Sequence, residues 1–300
     1  MAKAADKTWK AILLAGGSGS RLYPLTLGLN KHLLPVYDKP MIYYSLSTLM
    51  LGGLRDIIIM SGKDAIPQFQ RLLGDGSQWG LQLSYMEQAA PNGIAECFRI
   101  AQDEIRGHNV ALMLGDNIFY SDKLGEKISA AMAENAGATI FACEVANPSE
   151  FGVVELDDQG RPISLEEKPK QPRTNLAVPG FYCYDERVVD MAWKLKPGPR
   201  GELEITDINR AYLQMGELNV KRFGRGIAWL DGGTHAALYD AGQFIKVVEE
   251  RTGLKIACPE EIAFRQGYIT AEDVMRLAGA SKTPYADYLR ALVHAPSSET

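Results

Sequence analysis

The stretch LLAGGSGSRLYPLTLGLNKHLLPV, from Leu13 to Val36, decides how this chain is built. It leaves an apolar run, passes through three glycines, and places Arg21 and Lys31 before a second apolar run. Glycines let backbone N–H groups approach phosphate oxygens, and nearby cations neutralise the phosphate charge. The spacing fits neither the dinucleotide-binding fingerprint nor a Walker A loop. The stretch therefore predicts an anion-binding loop, with an ordinary glycine-rich surface turn as the alternative.

Strand and helix patterns alternate outward from this loop, between Lys10 and about Asn135. Four runs suit buried strands, and the segments between them, such as GIAECFRIAQDEI, have helical spacing; the runs are KAILLAG, RDIIIMSG, LQLSYMEQ and NVALMLGDNIF. Such alternation is typical of α/β folds, in which helices cover both faces of the sheet. Residues 10–135 are therefore predicted to form a Rossmann-like core with a mixed, mostly parallel sheet.

The pattern changes after residue 135. Short strand-like runs joined by tight turns predict a small mixed-sheet extension within residues 136–235 that carries part of a pocket. These runs are ATIFACEV, FGVVELDDQGRPISLEEKP and PGFYCYD. From residue 236 to residue 300 the pattern is mainly helical and ends in the polar tail SSET. No internal repeat or low-complexity linker separates these parts. Residues 1–300 are therefore expected to form one composite domain with a C-terminal helical annex.

Composition excludes several classes of partner. The 300-residue chain has a formal net charge of -5 and no basic block, so a nucleic-acid polymer is not expected as a partner. Its apolar runs have the length of strands, so no membrane association is expected. The N-terminal MAKAADKTW lacks the apolar core of a signal peptide and is interpreted as a polar extension. The four cysteines are too scattered for a zinc cluster or a disulfide framework, which predicts buried, reduced thiols in a cytoplasmic protein.

The full loop, G-G-x-G-x-R-L-x-P-L-T followed by K-x-L-L-P-V, resembles the signature of the sugar-phosphate nucleotidylyltransferases, also called nucleotide-sugar pyrophosphorylases. Further segments resemble those of the glucose-1-phosphate thymidylyltransferases within that family, and the resemblance runs from about Lys10 to about Leu292. These segments are LLPVYDKPMIYY, RLLGDGSQWGL, LGDNIFY, FGVVELD, SLEEKP, PRGELEITDINRAYL, GIAWLDGGTH and CPEEIAFRQGYI.

The resemblance implies a reaction between dTTP and α-D-glucose 1-phosphate that gives dTDP-glucose and pyrophosphate, the first step towards dTDP-deoxysugars such as dTDP-rhamnose. The sugar phosphate attacks the α-phosphorus directly and in line. Such catalysis depends on positioning two anions and on offsetting the charge of the leaving group. The resemblance also implies Mg²⁺ as the cofactor, because a hard divalent cation prefers carboxylate oxygens, water and phosphates as ligands.

The resemblance implies that residues 10–135 bind the nucleotide and residues 136–235 the sugar phosphate, and it assigns roles to individual positions. The residues that correspond to catalytic groups are Arg21, Lys31, Asp116, Lys168 and Asp231. Asp116 and Asp231, each ending an apolar run, correspond to the magnesium ligands, although a lone aspartate in such a place is more often a turn former or helix cap. The residues that correspond to the nucleotide site are Leu14, Gly16, Gly17, Ser18, Gly19, Gln88, Gly93 and Asp116. The residues that correspond to the sugar-phosphate site are Gly152, Glu167, Lys168, Val178 and Arg200.

A second nucleotide site at a subunit contact is also implied by the resemblance, with a dTDP-sugar as feedback inhibitor. The corresponding residues are Tyr120, Ser121, Arg225, Cys258, Glu261 and Arg265. The alternative is that these residues only pack the helical annex. Family members of this length are commonly homotetramers, so a homotetramer is expected.

The departures from the family pattern cluster near the implied ligands. His32 replaces the usual glutamine after the loop lysine, and PNGIAEC in place of PDGLAQA puts Asn92 for Asp and Glu96 for Gln. Gly232 replaces a threonine beside Asp231. Ser45 and the pair Gly62-Lys63 depart as well, and the preference for base or sugar is therefore open. The alternatives are a thymidylyl- or uridylyltransferase that uses another or a modified sugar 1-phosphate, and a catalytically silent nucleotide-sugar sensor.

Overall fold

The computed structural model describes residues 8–17 and 19–294. Ser18, most of the N-terminal polar extension and the SSET tail lie outside the described residues. Within them the strands are β1 (Trp9–Leu14), β2 (Pro35–Val36), β3 (Lys39–Pro40), β4 (Asp56–Ser61), β5 (Gln82–Glu87), β6 (Asn109–Leu114), β7 (Asn117–Ser121), β8 (Ala138–Glu144), β9 (Gly152–Leu156), β10 (Pro162–Glu167), β11 (Leu176–Val178), β12 (Phe181–Tyr184), β13 (Leu218–Arg222) and β14 (Ile227–Asp231).

The helices follow the sequence pattern closely. The helix Met41–Leu51 is preceded by Pro40 and followed by Gly52. In the next helix, Pro67 lies in the first turn, where the N–H that proline lacks would have no partner within the helix. The α-helices of the described chain are α1 (Met41–Leu51), α2 (Ile66–Leu73), α3 (Glu96–Ile100), α4 (Gln102–Ile105), α5 (Leu124–Ala133), α6 (Val188–Lys194), α7 (Ile205–Gln214), α8 (His235–Thr252), α9 (Pro259–Arg265), α10 (Ala271–Ala278) and α11 (Pro284–Leu292).

One sheet of ten strands runs through the molecule in the order β10-β9-β11-β8-β12-β6-β1-β4-β5, with β13 also paired to β8. The neighbours β6, β1, β4 and β5 are parallel, as the alternating strand and helix pattern predicts. Strand β12 is antiparallel to both β6 and β8 and joins the two halves. The predicted α/β class is confirmed, and the mixed extension continues the core sheet instead of forming a separate one.

Helices cover both faces of this sheet, because alternate residues of each buried strand point to opposite faces. On one face, Ala11 and Leu13 of β1 belong to a core that also contains side chains from α1, α5, α9, α10 and α11. On the other face, Ile12 and Leu14 belong to a core with side chains from α3, α6 and α7. The helical annex thus packs directly on the parallel half of the sheet, formed by β6, β1, β4 and β5.

Two elements differ from the sequence-based expectation. The run NVALMLGDNIF breaks at Gly115-Asp116, as its sequence predicts, but its second part forms a further strand, β7, which leaves the main sheet and pairs with β14 so that Asn117 lies opposite Asp231. The helix expected over GIAECFRIAQDEI starts only at Glu96 and is interrupted at Ala101. Gly93 has a φ of +109°, a backbone conformation outside any helix, and this delays the start.

Two further expectations concern the cysteines and the membrane. All four cysteines are buried and free, as predicted from their scattered positions. Within the described residues, no helix combines the length and the apolar character that crossing a bilayer requires.

Candidate functional site

The glycine-rich loop follows β1 at the carboxyl end of the parallel strands. Gly17 and Gly19 have φ values of +93° and +58°, which glycine adopts without steric cost. A 3₁₀ turn, Ser20–Leu22, then anchors the loop through the fully buried Leu22 and leaves Arg21 exposed. The backbone therefore turns sharply while its cation stays free to meet a ligand.

Lys31 and Asp116 form an ion pair at the centre of this region. Lys31 is 9 % exposed, and the other carboxylate oxygen of Asp116 accepts a hydrogen bond of 2.8 Å from the Asn117 amide. Burial alone would raise the pKa of Asp116, but the neighbouring Lys31 ammonium outweighs it, and the pKa lies below its ordinary value. Asp116 is thus ionised and held in place.

Asp231 lies next to Asp116 because β14 pairs with β7. The Gly232 N–H donates to the carbonyl oxygen of Asp116 at 3.0 Å, which ties the two strand ends together. Burial and then the negative charge of Asp116 raise the pKa of Asp231. A Cβ on Gly233 would lie 3.2 Å from Asp231 Oδ2 and 2.7 Å from Arg21 Nη2, so the guanidinium approaches this carboxylate pair.

Arg21, Asp116 and Asp231 line one cavity of about 440 Å³, which we call the central cavity. Its other wall comes from the sheet extension and α7 and contains the predicted sugar-phosphate residues Gly152, Glu167, Lys168 and Val178. Residues from the two halves of the chain, more than 100 positions apart, therefore face the same space.

The sheet extension contributes a carboxylate, Glu167, and an ammonium group, Lys168, to the central cavity. Glu167 accepts a hydrogen bond of 2.6 Å from the Thr206 hydroxyl of α7. Lys168 is exposed, has a φ of +44° and makes no side-chain hydrogen bond or ion pair within the described residues. A non-glycine residue rarely adopts such a φ, and residues that do so are concentrated at functional sites. Lys168 is therefore available to an anion.

Arg200 occupies a different position from the one expected. Its guanidinium does not line the central cavity but donates to Glu204 Oε1 and Oε2 at 2.8 Å, and its Nη2 lies 3.6 Å from Glu167. Its effect on the cavity is therefore exerted through Glu167, and direct contact with a sugar phosphate would require the pair with Glu204 to open.

A smaller cavity of about 240 Å³, the narrow cavity, adjoins the central cavity and shares Asp116 with it. Its lining includes most of the predicted nucleotide residues: Leu14, Gly16, Gly17, Gln88 and Gly93. A Cβ on Gly93 would lie 2.4 Å from the backbone of Leu203, so the chain needs glycine there. Gly19 does not line this cavity, but it supports the loop by accepting a hydrogen bond of 3.1 Å from Thr26.

His32 stands out in the sequence only as a departure from the family pattern. In the structure it lines the narrow cavity and is 2 % exposed. Asn30 Oδ1 accepts from the His32 backbone N–H and lies 2.9 Å from Nδ1, so Nδ1 carries the ring proton. Burial lowers the pKa of His32 to about 4, and the imidazole is neutral near pH 7. Its free Nε2 is therefore a hydrogen-bond acceptor.

Several residues of the central cavity were missed altogether by sequence reasoning: Tyr182, Thr206, Asn209 and Trp229. The spacing of Thr206 and Asn209, three apart within ITDINRAYL, was the available signal, because such residues share one face of a helix. Tyr182 and Trp229 gave no signal, since aromatic residues in strands usually serve packing.

Gly232, the departure beside Asp231, stands against the N-terminus of α1. A Cβ at this position would lie 2.3 Å from Met41 Cε and 3.0 Å from its Sδ. Met41 is fully buried, so its side chain occupies the space that a larger residue at position 232 would need.

A cavity of about 520 Å³, the lateral cavity, lies between α1, α5 and the annex. Four of the six residues predicted for a second nucleotide site line it: Tyr120, Ser121, Cys258 and Glu261. The other two do not; Arg225 is exposed elsewhere, and Arg265 pairs with Glu261 at 2.8 Å. Feedback by a dTDP-sugar at this cavity and assembly into a homotetramer stay predictions.

Comparison with known proteins gives a consistent result. The nucleotidyl transferase family model matches residues 10–247. Glucose-1-phosphate thymidylyltransferase from Xanthomonas campestris is 52% identical over 284 residues, covering 94% of this chain and 96% of the relative. Proteins of the same name from Neisseria meningitidis and Mycobacterium tuberculosis are each 50% identical over 285 residues, covering 95% of this chain and 99% of the relative.

Solved structures agree with the sequence relatives. A Bacillus anthracis protein assigned as a glucose-1-phosphate thymidylyltransferase, solved with sucrose, is 39% identical with a TM-score of 0.74, covering 79% of this chain and 95% of that one. A UDP-glucose pyrophosphorylase bound to UDP-glucose is 22% identical with a TM-score of 0.70, covering 80% and 99%, and shows the shared fold alone. The chain therefore belongs to the nucleotidyl transferase family, among the glucose-1-phosphate thymidylyltransferases.

Proposed function

We propose that the central and narrow cavities together catalyse thymidylyl transfer from dTTP to α-D-glucose 1-phosphate. A phosphate oxygen of the sugar phosphate forms a bond to the α-phosphorus of dTTP. The bond from that phosphorus to the oxygen that bridges to the β-phosphate breaks, and its electron pair leaves with pyrophosphate. The products are dTDP-glucose and pyrophosphate, and no covalent enzyme intermediate forms.

The observation that carries the proposal is the convergence of opposite charges on one space. Arg21, Lys168, Asp116 and Asp231 all line the central cavity, and Asp116 also lines the narrow cavity. Two anionic reactants placed there would share one space with both cations. Holding reactants in line removes much of the entropic cost of a bimolecular step, and fixed cations stabilise charge that develops on the leaving group.

The roles divide between the cavities. We assign the nucleotide to the narrow cavity, with the base beside Leu14, Gln88 and Gly93 and the triphosphate along the glycine loop and Lys31. Arg21 would neutralise charge as pyrophosphate leaves. Lys168 would bind the sugar phosphate. Gly152, Glu167 and Val178 would surround the sugar, and Arg200 would steady Glu167.

Mg²⁺ fits the pair of aspartates. Among the described residues no group of three or more His, Cys, Asp or Glu side chains is arranged to hold a metal, so the protein offers two carboxylates only. Magnesium commonly binds in this way, with water and substrate phosphates as the remaining ligands. Burial and the neighbouring Asp116 raise the pKa of Asp231, so a nearby cation would favour its ionised, negatively charged form. A bound divalent cation would offset that charge and the charge of the phosphates.

A substrate panel with released pyrophosphate as the readout tests the proposal. dTTP and UTP are each combined with glucose 1-phosphate and with other sugar 1-phosphates. Turnover is expected to be highest with dTTP and glucose 1-phosphate. A preference for UTP or another sugar would select the corresponding alternative transferase. Nucleotide-sugar binding without turnover in any combination would identify a sensor.

Arg21→Ala links this activity to the central cavity. The variant should lose roughly 2–4 kcal/mol of transition-state stabilisation, seen mainly in kcat, because the charge matters most as pyrophosphate leaves. Arg71→Ala is the matched control, since Arg71 is an exposed arginine on α2 that lines none of the three cavities. Equal activity of the two variants would contradict the assigned role.

A further inference from the structure

Gln88, Asn92 and Glu96 form a hydrogen-bonded set beside the narrow cavity, and two of them are departures from the family pattern. Gln88 follows β5 directly and is 8 % exposed, and its backbone N–H donates to Ser61 at 2.9 Å. The position of this side chain is therefore fixed from the sheet. Its contacts then determine whether the amide nitrogen or the amide oxygen of Gln88 faces the narrow cavity.

Glu96 and the backbone set that orientation. Gln88 Nε2 lies 3.0 Å from the carbonyl oxygen of Gly93 and 3.0 Å from Glu96 Oε2. A carbonyl and a carboxylate only accept hydrogen bonds, so the amino group of Gln88 must face both of them. Its two hydrogens are then used within the protein, and the amide donates nothing to a ligand.

The amide oxygen consequently faces the other way. Gln88 Oε1 lies 2.9 Å from the point where a Cβ on Gly16 would stand, at the glycine loop that lines the narrow cavity. Gln88 therefore offers a ligand an acceptor only.

Asn92 holds the second oxygen of the Glu96 carboxylate. Asn92 Nδ2 donates to Glu96 Oε1 at 2.8 Å. The acid stands at position 96 and the amide at position 92, whereas the family pattern has an acid at 92 and an amide at 96. An aspartate at 92 would draw the amino group of a glutamine at 96 and turn its oxygen towards Gln88. Both arrangements leave Gln88 in one orientation, so the two departures compensate for each other.

We propose that Glu96, held by Asn92, is a positioning residue that keeps the Gln88 oxygen towards the nucleobase and so selects bases with an N–H donor at that edge. Thymine and uracil carry such a donor at N3, whereas cytosine carries a lone pair there. Cytosine would set one acceptor against another at a side chain that is 8 % exposed, which costs binding. This inference rests on the proposed function, because it takes the narrow cavity as the base site.

The test compares deoxyuridine and deoxycytidine nucleotides, which share sugar and phosphates and differ only at the base edge in question. Glu96→Ala should lower the kcat/KM ratio of dUTP to dCTP roughly tenfold, and Glu96→Met, which keeps the bulk but loses the acceptor, should do the same. Asn92→Asp/Glu96→Gln should retain the parent ratio. Asn92→Ala, which leaves the Glu96 contact with Gln88, should change the ratio far less than Glu96→Ala.

A role in packing alone would lower the activity with both nucleotides and leave their ratio unchanged. An unchanged ratio in both Glu96→Ala and Glu96→Met overturns the inference, as does loss of the ratio in the double variant. Calorimetric binding of dUDP and dCDP to the same variants gives the ratio without turnover. Absence of pyrophosphate release by the parent enzyme would thus count against the proposed function, while the binding ratio would still decide the role of Glu96.

Discussion

Asp116 and Asp231 are chemically identical, but their surroundings shift their pKa values in opposite directions. Burial raises the pKa of both, and the ion pair with Lys31 reverses the shift for Asp116 only. A carboxyl with a lowered folded pKa contributes stability that is present above its unfolded pKa and lost as the pH falls. One with a raised folded pKa contributes stability that is present at low pH and lost as the pH rises through the folded pKa. At neutral pH Asp116 therefore stabilises the metal-free fold and Asp231 destabilises it.

Replacing each aspartate by asparagine should change the melting temperature in opposite directions. Without divalent metal near pH 7, Asp231→Asn should melt at a higher temperature than the parent, because a buried charge beside Asp116 is removed. Asp116→Asn should melt at a lower temperature, because the buried Lys31 loses its partner. The gain for Asp231→Asn should vanish as the pH approaches 3.8, the ordinary pKa of the carboxyl. Thermal denaturation followed by circular dichroism measures both variants.

Magnesium supplies the control for this pair of variants. Adding MgCl₂ should raise the melting temperature of the parent by mass action, because the ion binds the folded state. It should raise that of Asp231→Asn much less, and turnover should fall roughly 100-fold or more in both variants. A metal response of Asp231→Asn equal to that of the parent would remove Asp231 from the proposed metal site.

At the scale of elements, a buried ionic cluster fastens α8 to the β2–β3 hairpin. Lys39 Nζ donates to Glu249 Oε1 at 2.9 Å, and these side chains are 2% and 4% exposed. Lys255 donates to the other oxygen of Glu249 at 2.6 Å and to Asp38 at 2.5 Å. The Ile256 N–H also donates to Glu249, so this carboxylate organises the end of α8. The hairpin directly follows the segment that holds Lys31 and His32.

Glu249→Ala should therefore be costly, by about 3 kcal/mol of unfolding free energy, because it removes the more buried of the two carboxylates that pair with Lys39 and leaves this buried ammonium with Asp38 alone. Lys39→Met/Glu249→Ala should recover much of that loss, since a methionine at 39 carries no charge into the interior. Glu250→Ala is the matched control, because Glu250 is exposed, makes its one ion pair among the described residues with Lys246 and should change stability by less than about 1 kcal/mol. Urea denaturation gives all three values. A double variant as unstable as Glu249→Ala would show that the charge of Lys39 is not the cause.

Elements whose pattern is local were predictable, and those set by distant partners were not. The helix Met41–Leu51 and the strand Asp56–Ser61 carry their own periodicity and end signals. The departure of β7 from the main sheet depends on β14, about 110 positions later, and no local signal marks it. The pairing of Lys39 with Glu249 spans 210 positions, so either residue alone looks like an ordinary surface charge.

At the scale of the molecule, the candidate site was recoverable from sequence because its residues sit in recognisable motifs at strand ends. The central cavity brings together Arg21, Asp116, Lys168 and Asp231, as the resemblance implied. The supporting partners were only partly predictable, because the spacing of Thr206 and Asn209 places both on one helix face, whereas the contact of Thr206 with Glu167 depends on the whole fold. Arg200 illustrates the same limit, since it lies in a turn before α7 and its motif does not reveal the pairing with Glu204, the residue that precedes this helix.

The sheet and one core join all three parts of the chain, which determines how the molecule should unfold. Strand β12 links β6 of the nucleotide-binding part to β8 of the sugar-phosphate part. The same core holds Leu13 of the first part, Phe181 of the second and Leu289 of the annex. No part can lose its packing without exposing apolar surface of the others, so we propose that residues 10–292 behave as one cooperative unit.

Chemical denaturation should accordingly show one transition with the same midpoint for every probe. The fluorescence of Trp79 reports on the nucleotide-binding part, and that of Trp229 reports on β14. Variants that keep only one of these tryptophans therefore follow the two parts separately. Far-ultraviolet circular dichroism follows the whole chain. Coincident curves are expected because unfolding either part alone would break the β6–β12–β8 pairing and open the shared core. Measurements at several protein concentrations separate this transition from any dissociation of subunits, which alone would shift the midpoint with concentration. A first transition seen by Trp229 but not by Trp79, at every concentration, would mean that the sugar-phosphate part unfolds on its own and that the chain contains two domains.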